Sequence, residues 1–160
     1  MNARVRSIGI IAAIVTVDRI SKIYIQQHFS QFDMKPVIAG FFNIVHAENP
    51  GAAFGFLAES HSDWRRVLLV GASLAVMAAI GGMLFRRSVK KSALLEISLA
   101  MVFGGAAGNM WDRLFRGTVT DFLQFFFGSY EFPSFNAADS AISVGACLLL
   151  IDLWRNRGKV

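Results

Sequence analysis

Four long apolar stretches constrain this chain more than anything else in it: Ile8 to Ile25, Val67 to Phe85, Ala93 to Phe115 and Ala137 to Trp154. Each is close to the roughly 20 residues a helix needs to cross about 30 Å of hydrocarbon. Inside a bilayer no water is available to the backbone, so a spanning segment must satisfy its own N–H and C=O groups. A helix does this and an isolated strand does not. With 54% of 160 residues hydrophobic and 17% charged, the balance is foreign to a water-soluble domain of this length. The expected fold is an all-α integral membrane protein with four transmembrane helices in a single domain, residues 1–160.

Four crossings put both termini on one side, and the basic residues choose which. With the N-terminus inside, Arg4, Arg6, Arg86, Arg87, Lys90, Lys91, Arg155, Arg157 and Lys159 are cytoplasmic, against Lys35, Arg65, Arg66 and Arg116 outside. Lys and Arg are retained on the cytoplasmic side, so both termini are expected there. The net charge of +5 follows from this distribution. It forms no continuous patch, which argues against nucleic acid as a partner. Asp18, Arg19 and Lys22 interrupt the first stretch, and no small-residue cleavage site follows, so it reads as a retained span rather than a removed leader. The single cysteine, Cys147, falls in the fourth stretch and reads as a buried, inert residue.

The extracytoplasmic segments, 26–66 and 116–136, hold most of the material outside the spans. In the first, Phe41 to Val45 reads as a strand and Asn49-Pro50-Gly51 as a turn, so a small sheet is expected. Ala52 to Leu57 is apolar but too short to span and is expected at the interface or against the helices. The second is rich in phenylalanine, from Phe122 to Phe135, as befits the headgroup region.

Polar groups inside the spans need a reason, because each one costs free energy in hydrocarbon unless partnered. The second span has no ionisable residue. The first has Asp18 and Lys22 four apart on one helix face, which reads as an ion pair with Lys22 reaching outward, or as a chemical site. The third carries Gly104-Gly105-Ala106-Ala107-Gly108, a close-packing pattern, and then Asn109, Asp112 and Arg113 within one turn. The fourth opens with Asn136 and Asp139, spaced like a helix-capping pair. Asp121, just beyond the third span, reads either as the cap of a short interfacial helix or as a functional group. The topology places Asp121 and Asp139 at one depth, where two carboxylates could meet. Such pairs share one proton, and so suit amide hydrolysis: one carboxylate activates water while the other, protonated, polarises the carbonyl. Other chemistries lack their parts. His28, His46 and His61 have no metal-ligand spacing, neither HExxH nor G-x-S-x-G is present, and Ser21 cannot face Lys22 from the neighbouring position. No metal and no cofactor are expected.

Taken in order, the blocks Asp18 with Lys22, Asn49-Pro50-Gly51-Ala52-Ala53-Phe54-Gly55, Gly104 to Arg113, Val119-Thr120-Asp121-Phe122 and Phe135-Asn136-Ala137-Ala138-Asp139-Ser140 closely resemble bacterial lipoprotein signal peptidase, or signal peptidase II. The resemblance covers nearly the whole chain. Trp111, Thr120 and Ala137 stand where other apolar residues are expected, but every polar motif position is kept. The resemblance implies an aspartic endopeptidase of the bacterial inner membrane that removes signal peptides from prolipoproteins, cutting before a diacylglyceryl-modified cysteine. It implies Asp121 and Asp139 as the catalytic pair, with Asn49, Gly51, Asn109, Arg113 and Asn136 lining or ordering the site. Asp18, Lys22 and Asp112 would support it. A small extracytoplasmic sheet with an interfacial helix, membrane lipids as partners, a monomeric state and binding of inhibitors such as globomycin are expected on the same ground. The rival readings are a transporter or proton-coupled channel using the same charges, and a noncatalytic envelope assembly factor. The first has its charges crowded into the outer half, and the second leaves the aspartate pair unused.

Overall fold

The computed structural model describes residues 2–51, 63–86 and 92–157. Four helices and four strands run in the order α1 (Ala3–His28), β1 (Met34–Ile38), β2 (Phe42–Asn49), α2 (Asp63–Phe85), α3 (Ala93–Phe115), β3 (Val119–Phe127), β4 (Tyr130–Phe135) and α4 (Ala137–Asn156). Among the described residues, three helices are long and apolar enough to cross a membrane: Arg66–Phe85, Ala93–Phe115 and Ala137–Asn156. Helix α1 has the length, with 26 residues rising about 1.5 Å each, but it carries the charges named above. The apolar stretch Ala52 to Leu57, and with it the expected interfacial helix, lies outside the described residues, as do Arg87, Lys90, Lys91 and Lys159.

Helix α3 is the centre of the bundle, flanked by α1 and α4, and its glycines explain how. A Cβ on Gly104 would sit 3.2 Å from Ile14 Cβ of α1, and one on Gly105 would sit 2.4 Å from the Ala138 carbonyl of α4. Gly108 faces both, 2.6 Å from Asp18 Oδ2 and 3.4 Å from Ala138 Cβ. The glycines therefore let two helices approach the same turn of α3, as small residues do wherever van der Waals contact replaces hydrophobic drive. At the bundle end away from the sheet, an Arg6–Glu96 ion pair joins α1 to α3, and Ser92 donates to Asp152 of α4.

The strands form one antiparallel sheet in the order β1-β2-β3-β4. This is more sheet than expected. The phenylalanine-rich segment is not a short helix capped by Asp121 but the β3–β4 hairpin, with Leu123 paired to Phe135 and Phe127 to Tyr130. Phenylalanines directly opposite one another stack across strands, as Phe42 of β2 on Phe125 of β3 with ring centroids 4.7 Å apart, and cross-strand aromatic pairs stabilise sheets. Strand β2 also runs farther than the apolar core Phe41 to Val45 indicates. It continues to Asn49 because Ala47, Glu48 and Asn49 pair with Asp121, Thr120 and Val119.

Cys147 is exposed on α4, contrary to the buried position expected for it. Helix α4 packs mainly one face on α3, and in a bilayer the other face can remain apolar without being covered by protein.

Candidate active site

The site grows from the start of α4. Asn136 is the N-cap: its amide oxygen accepts the Asp139 N–H at 3.0 Å, and Asp139 Oδ2 accepts the Asn136 N–H at 3.3 Å, which completes a capping box. The capping role and a place in the site coincide in Asp139, because its other oxygen accepts the Asn109 side-chain N–H at 2.7 Å. Asp121 enters from β3, one strand away from the end of β2. Its Oδ1 accepts from Asn136 Nδ2 at 2.7 Å and its Oδ2 from Asn49 Nδ2 at 3.0 Å.

Three asparagines thus aim N–H groups at two carboxylates, and the orientation of each amide is determined by what its oxygen receives. Asn49 Oδ1 accepts the Gly51 N–H at 2.9 Å, Asn136 Oδ1 accepts the Asp139 N–H, and Asn109 Oδ1 accepts Lys22 Nζ at 3.0 Å and Asn136 Nδ2 at 3.3 Å. With the oxygens occupied, the NH₂ ends are left for the aspartates. Gly51 is fixed on both sides, since its carbonyl accepts from Arg113 Nη2 at 3.1 Å. Asp121, Asp139, Asn49, Asn109 and Arg113 line one cavity of about 520 Å³ whose remaining wall includes Phe132, Phe135 and Ile142.

Asp121 is 2% exposed, and its carboxyl is pushed up from 3.8 to about 7. Burial is the main cause. The nearby Asp139 charge adds to it, while the Asn49 and Asn136 hydrogen bonds work against it. A pair in which one member holds a proton near neutrality can offer a base and an acid at once.

Beneath the carboxylates lies a fully buried ionic cluster. Lys22 Nζ donates to Asp18 Oδ2 at 2.8 Å and to Asn109 Oδ1 at 3.0 Å, and forms an ion pair with Asp112 Oδ2 at 2.7 Å, so its charge is directed inward. Lys22 is 0% exposed and does not reach outward to the interface. Asp18 Oδ1 in turn accepts the Ala138 N–H at 3.0 Å, and Arg19 pairs with Asp112. The cluster holds α1, α3 and the start of α4 in one arrangement.

A second set of polar residues beside the site is not visible as a motif. Glu48 accepts hydroxyl protons from Thr118 and Thr120 and is 3.3 Å from Arg116 Nη2. Gln26 Nε2 donates to Thr120 Oγ1 at 2.7 Å, and His46 Nε2 lies 3.1 Å from Glu48. Burial opposes the Glu48 charge, but these donors outweigh it and hold the carboxyl below its ordinary range. The alternation Glu48, Thr118 and Thr120 would have been the only signal, and it acquires meaning only when β2 and β3 pair.

Known proteins resemble this chain over most of its length. The family model described as signal peptidase (SPase) II matches residues 10–155. The lipoprotein signal peptidase of Solibacter usitatus (strain Ellin6076) is 45% identical over 152 residues, covering 95% of this chain and 92% of that one. That of Maridesulfovibrio salexigens is 39% identical over 150 residues, covering 93% and 96%. Two solved structures, each described as a bacterial membrane enzyme, superpose with TM-scores of 0.85 and 0.81 at 28% and 29% identity, covering 96% and 92% of this chain and 90% and 92% of theirs. This chain is a membrane protein that belongs to the signal peptidase II family.

Proposed function

We propose that this protein is an intramembrane aspartic endopeptidase that removes the signal peptide from diacylglyceryl-modified prolipoproteins, cutting before the lipidated cysteine. Family membership and the names of its relatives support the substrate class. The observation that carries the mechanism is the pair Asp121 and Asp139, facing one cavity with each carboxylate held by amide N–H groups. In this reading Asp121 holds the shared proton, favoured by its burial. It donates to the scissile carbonyl while Asp139 takes a proton from the attacking water. Proton transfer from Asp121 neutralises the oxyanion that develops; on collapse the amine leaves with the proton collected by Asp139, and a hydroxyl of the intermediate returns its proton to Asp121 as the new carboxyl group forms.

The membrane placement is part of the same proposal. Helix α1 joins the three more apolar helices as a fourth span, with its charges turned inward onto α3 and α4 rather than toward lipid. Both termini are cytoplasmic, and the sheet and the aspartates sit at the extracytoplasmic boundary of the inner membrane, where acyl chains and water are both at hand. Phe132 and Phe135 line the cavity and provide apolar wall for a lipid-bearing substrate.

Cleavage of a diacylglyceryl prolipoprotein by the purified protein tests the reading. Asp121→Asn and Asp139→Asn are each expected to lose at least about 10²-fold in turnover, and the unlipidated precursor is expected to be a poor substrate. Retained turnover in either variant would refute the aspartate mechanism, and equal turnover on both precursors would refute the substrate assignment.

A further inference from the structure

Strand β2 contains a bulge at His46. The pairs Ile44↔Leu123 and Ala47↔Asp121 enclose one more residue on β2 than on β3, and bulges of this kind re-aim a side chain next to the position they flank. Here the ring turns inward and His46 is 8% exposed. Its Nδ1 lies 2.8 Å from the main-chain carbonyl of Phe29, just past the end of α1, and its Nε2 lies 3.1 Å from Glu48 Oε1. A carbonyl oxygen and an ionised carboxylate can only accept. Glu48 already receives Thr118, Thr120 and Arg116, which is the environment of an ionised group. A neutral imidazole has one N–H, so one of its two contacts would set a nitrogen lone pair against an oxygen lone pair in a buried place.

We propose that His46 is held as an imidazolium and acts as a positioning residue for Asn49 and Asp121. Its two N–H groups clip the end of α1 to β2 immediately before the segment that matters: Ala47 is the partner of Asp121 on β3, and Glu48 precedes Asn49, whose amide holds Asp121 Oδ2. Without the second proton the clip opens, the bulge relaxes, and the Asn49 amide no longer meets Asp121 at hydrogen-bond distance. His46 itself does not line the cavity, so it acts only through the strand. The charged groups around it are Glu48 on its own strand, Arg116 from the end of α3, and Asp33 in the α1–β1 connection. Asp33 accepts the His46 N–H through its main-chain carbonyl at 3.1 Å, and its carboxylate is occupied by the Ser30 N–H at 2.6 Å. His28 of α1 is turned to the Tyr24 carbonyl, Lys35 of β1 pairs opposite Ile44, and Asp121 on β3 is bound by the asparagines. Glu48 is therefore the only carboxylate at hydrogen-bond distance from the ring among the described residues.

The effect on rate rests on Asp121 being catalytic, whereas the state of the ring does not, and the two are measured separately. Side-chain ¹⁵N NMR of histidine-labelled protein in detergent, at about pH 7 where a free imidazole is mostly neutral, is expected to show both nitrogens of His46 protonated. Loss of the signal in His46→Gln assigns it; should that variant fail to fold, His28→Gln and His61→Gln assign it by elimination. In Glu48→Gln, whose amide can itself donate, the ring is expected to revert to one N–H. One protonated and one bare nitrogen in the unsubstituted protein would overturn the proposal. In cleavage assays His46→Gln is expected to lower kcat about tenfold, as small misplacements of a reacting group do, with KM unchanged. A kcat in that variant equal to that of the unsubstituted protein at about pH 7 would overturn the positioning role. Turnover by Asp121→Asn would instead overturn the aspartate mechanism, leaving the NMR result to stand or fall alone.

Discussion

Asp18 Oδ1 accepts the backbone N–H of Ala138 at 3.0 Å, across 120 positions of sequence and with both residues fully buried. The first turn of a helix has N–H groups without intrahelical partners. At α4, Asn136 takes one of them and Asp18 takes another from a different helix. The second oxygen of Asp18 binds Lys22, so one side chain joins the ionic cluster to the turn that carries Asp139. The contact passes over α3 where Gly108 leaves room for it.

That close passage makes the glycines of α3 unequal to others in the chain. Gly105→Ala would drive a methyl to 2.4 Å from the Ala138 carbonyl and 2.7 Å from Ile142 Cγ1, and Gly108→Ala to 2.6 Å from Asp18 Oδ2. Each is expected to destabilise by about 1–3 kcal/mol, the usual range for overpacking, and to lower activity by displacing α4. Gly82→Ala, with nothing within 4 Å of its added carbon, is expected to be neutral or slightly stabilising through helix propensity. Thermal unfolding of the three variants in detergent checks the order.

Lys22→Met removes the ammonium from between Asp18 and Asp112. Breaking a buried pair leaves uncompensated charge and costs about 3–5 kcal/mol. The variant is expected to express poorly or unfold at markedly lower temperature. Adding Asp18→Asn, which removes one of the stranded charges and leaves Arg19 on Asp112, should recover part of the loss. A single Lys22→Met variant as stable as the unsubstituted protein would show that the cluster is not what holds α1 to α3.

The raised Asp121 carboxyl makes stability fall as pH rises. Its value goes from 3.8 to about 7 on folding, so between these limits the native state binds a proton that the unfolded chain has lost. The associated stability is complete below about pH 4 and disappears as pH passes about 7, amounting to something of order 4 kcal/mol. Asp121→Asn is expected to abolish turnover, flatten this limb, and melt above the unsubstituted protein at about pH 8. Unfolding temperatures measured from about pH 5 to pH 8 check it. Under the proposed mechanism, in which Asp121 is the acid, cleavage rate should fall over the same alkaline range as that proton is lost.

Asn136 and Asn49 both hold Asp121, yet their loss should differ. Asn136→Ala removes a helix cap, worth about 0.5–2 kcal/mol, together with its hydrogen bond to Asp121. Asn49→Ala removes a hydrogen bond to Asp121 and the turn contact to Gly51 but touches no helix end. Both are expected to lower kcat, and Asn136→Ala alone to lower helix stability. Paired melting curves and kcat values distinguish them.

Helix positions and most of the polar residues that the fold gathers at the candidate site were legible in the sequence for a simple reason: hydrocarbon rejects polar groups, so apolar runs mark the helices and each exception stands out. Asp18, Lys22, Asn109, Asp112, Arg113 and Asp139 were visible as exceptions, and the depth shared by Asp121 and Asp139 followed from the order of the helices. Residues in the connecting segments offer no such contrast. There the rich run of phenylalanines fits an interfacial helix or a hairpin equally well, and only pairing with β2 and β4 decided for strands. The same pairing decided the surroundings of Glu48 and His46, which depend on a register and a bulge that local composition does not encode. The inward turn of Lys22 belongs to the tertiary structure too, since an ammonium stays buried only where three acceptors from two helices converge on it. The raised Asp121 carboxyl is decided at the same level, because burial and a neighbouring charge come from the assembled fold, and no residue states its own burial.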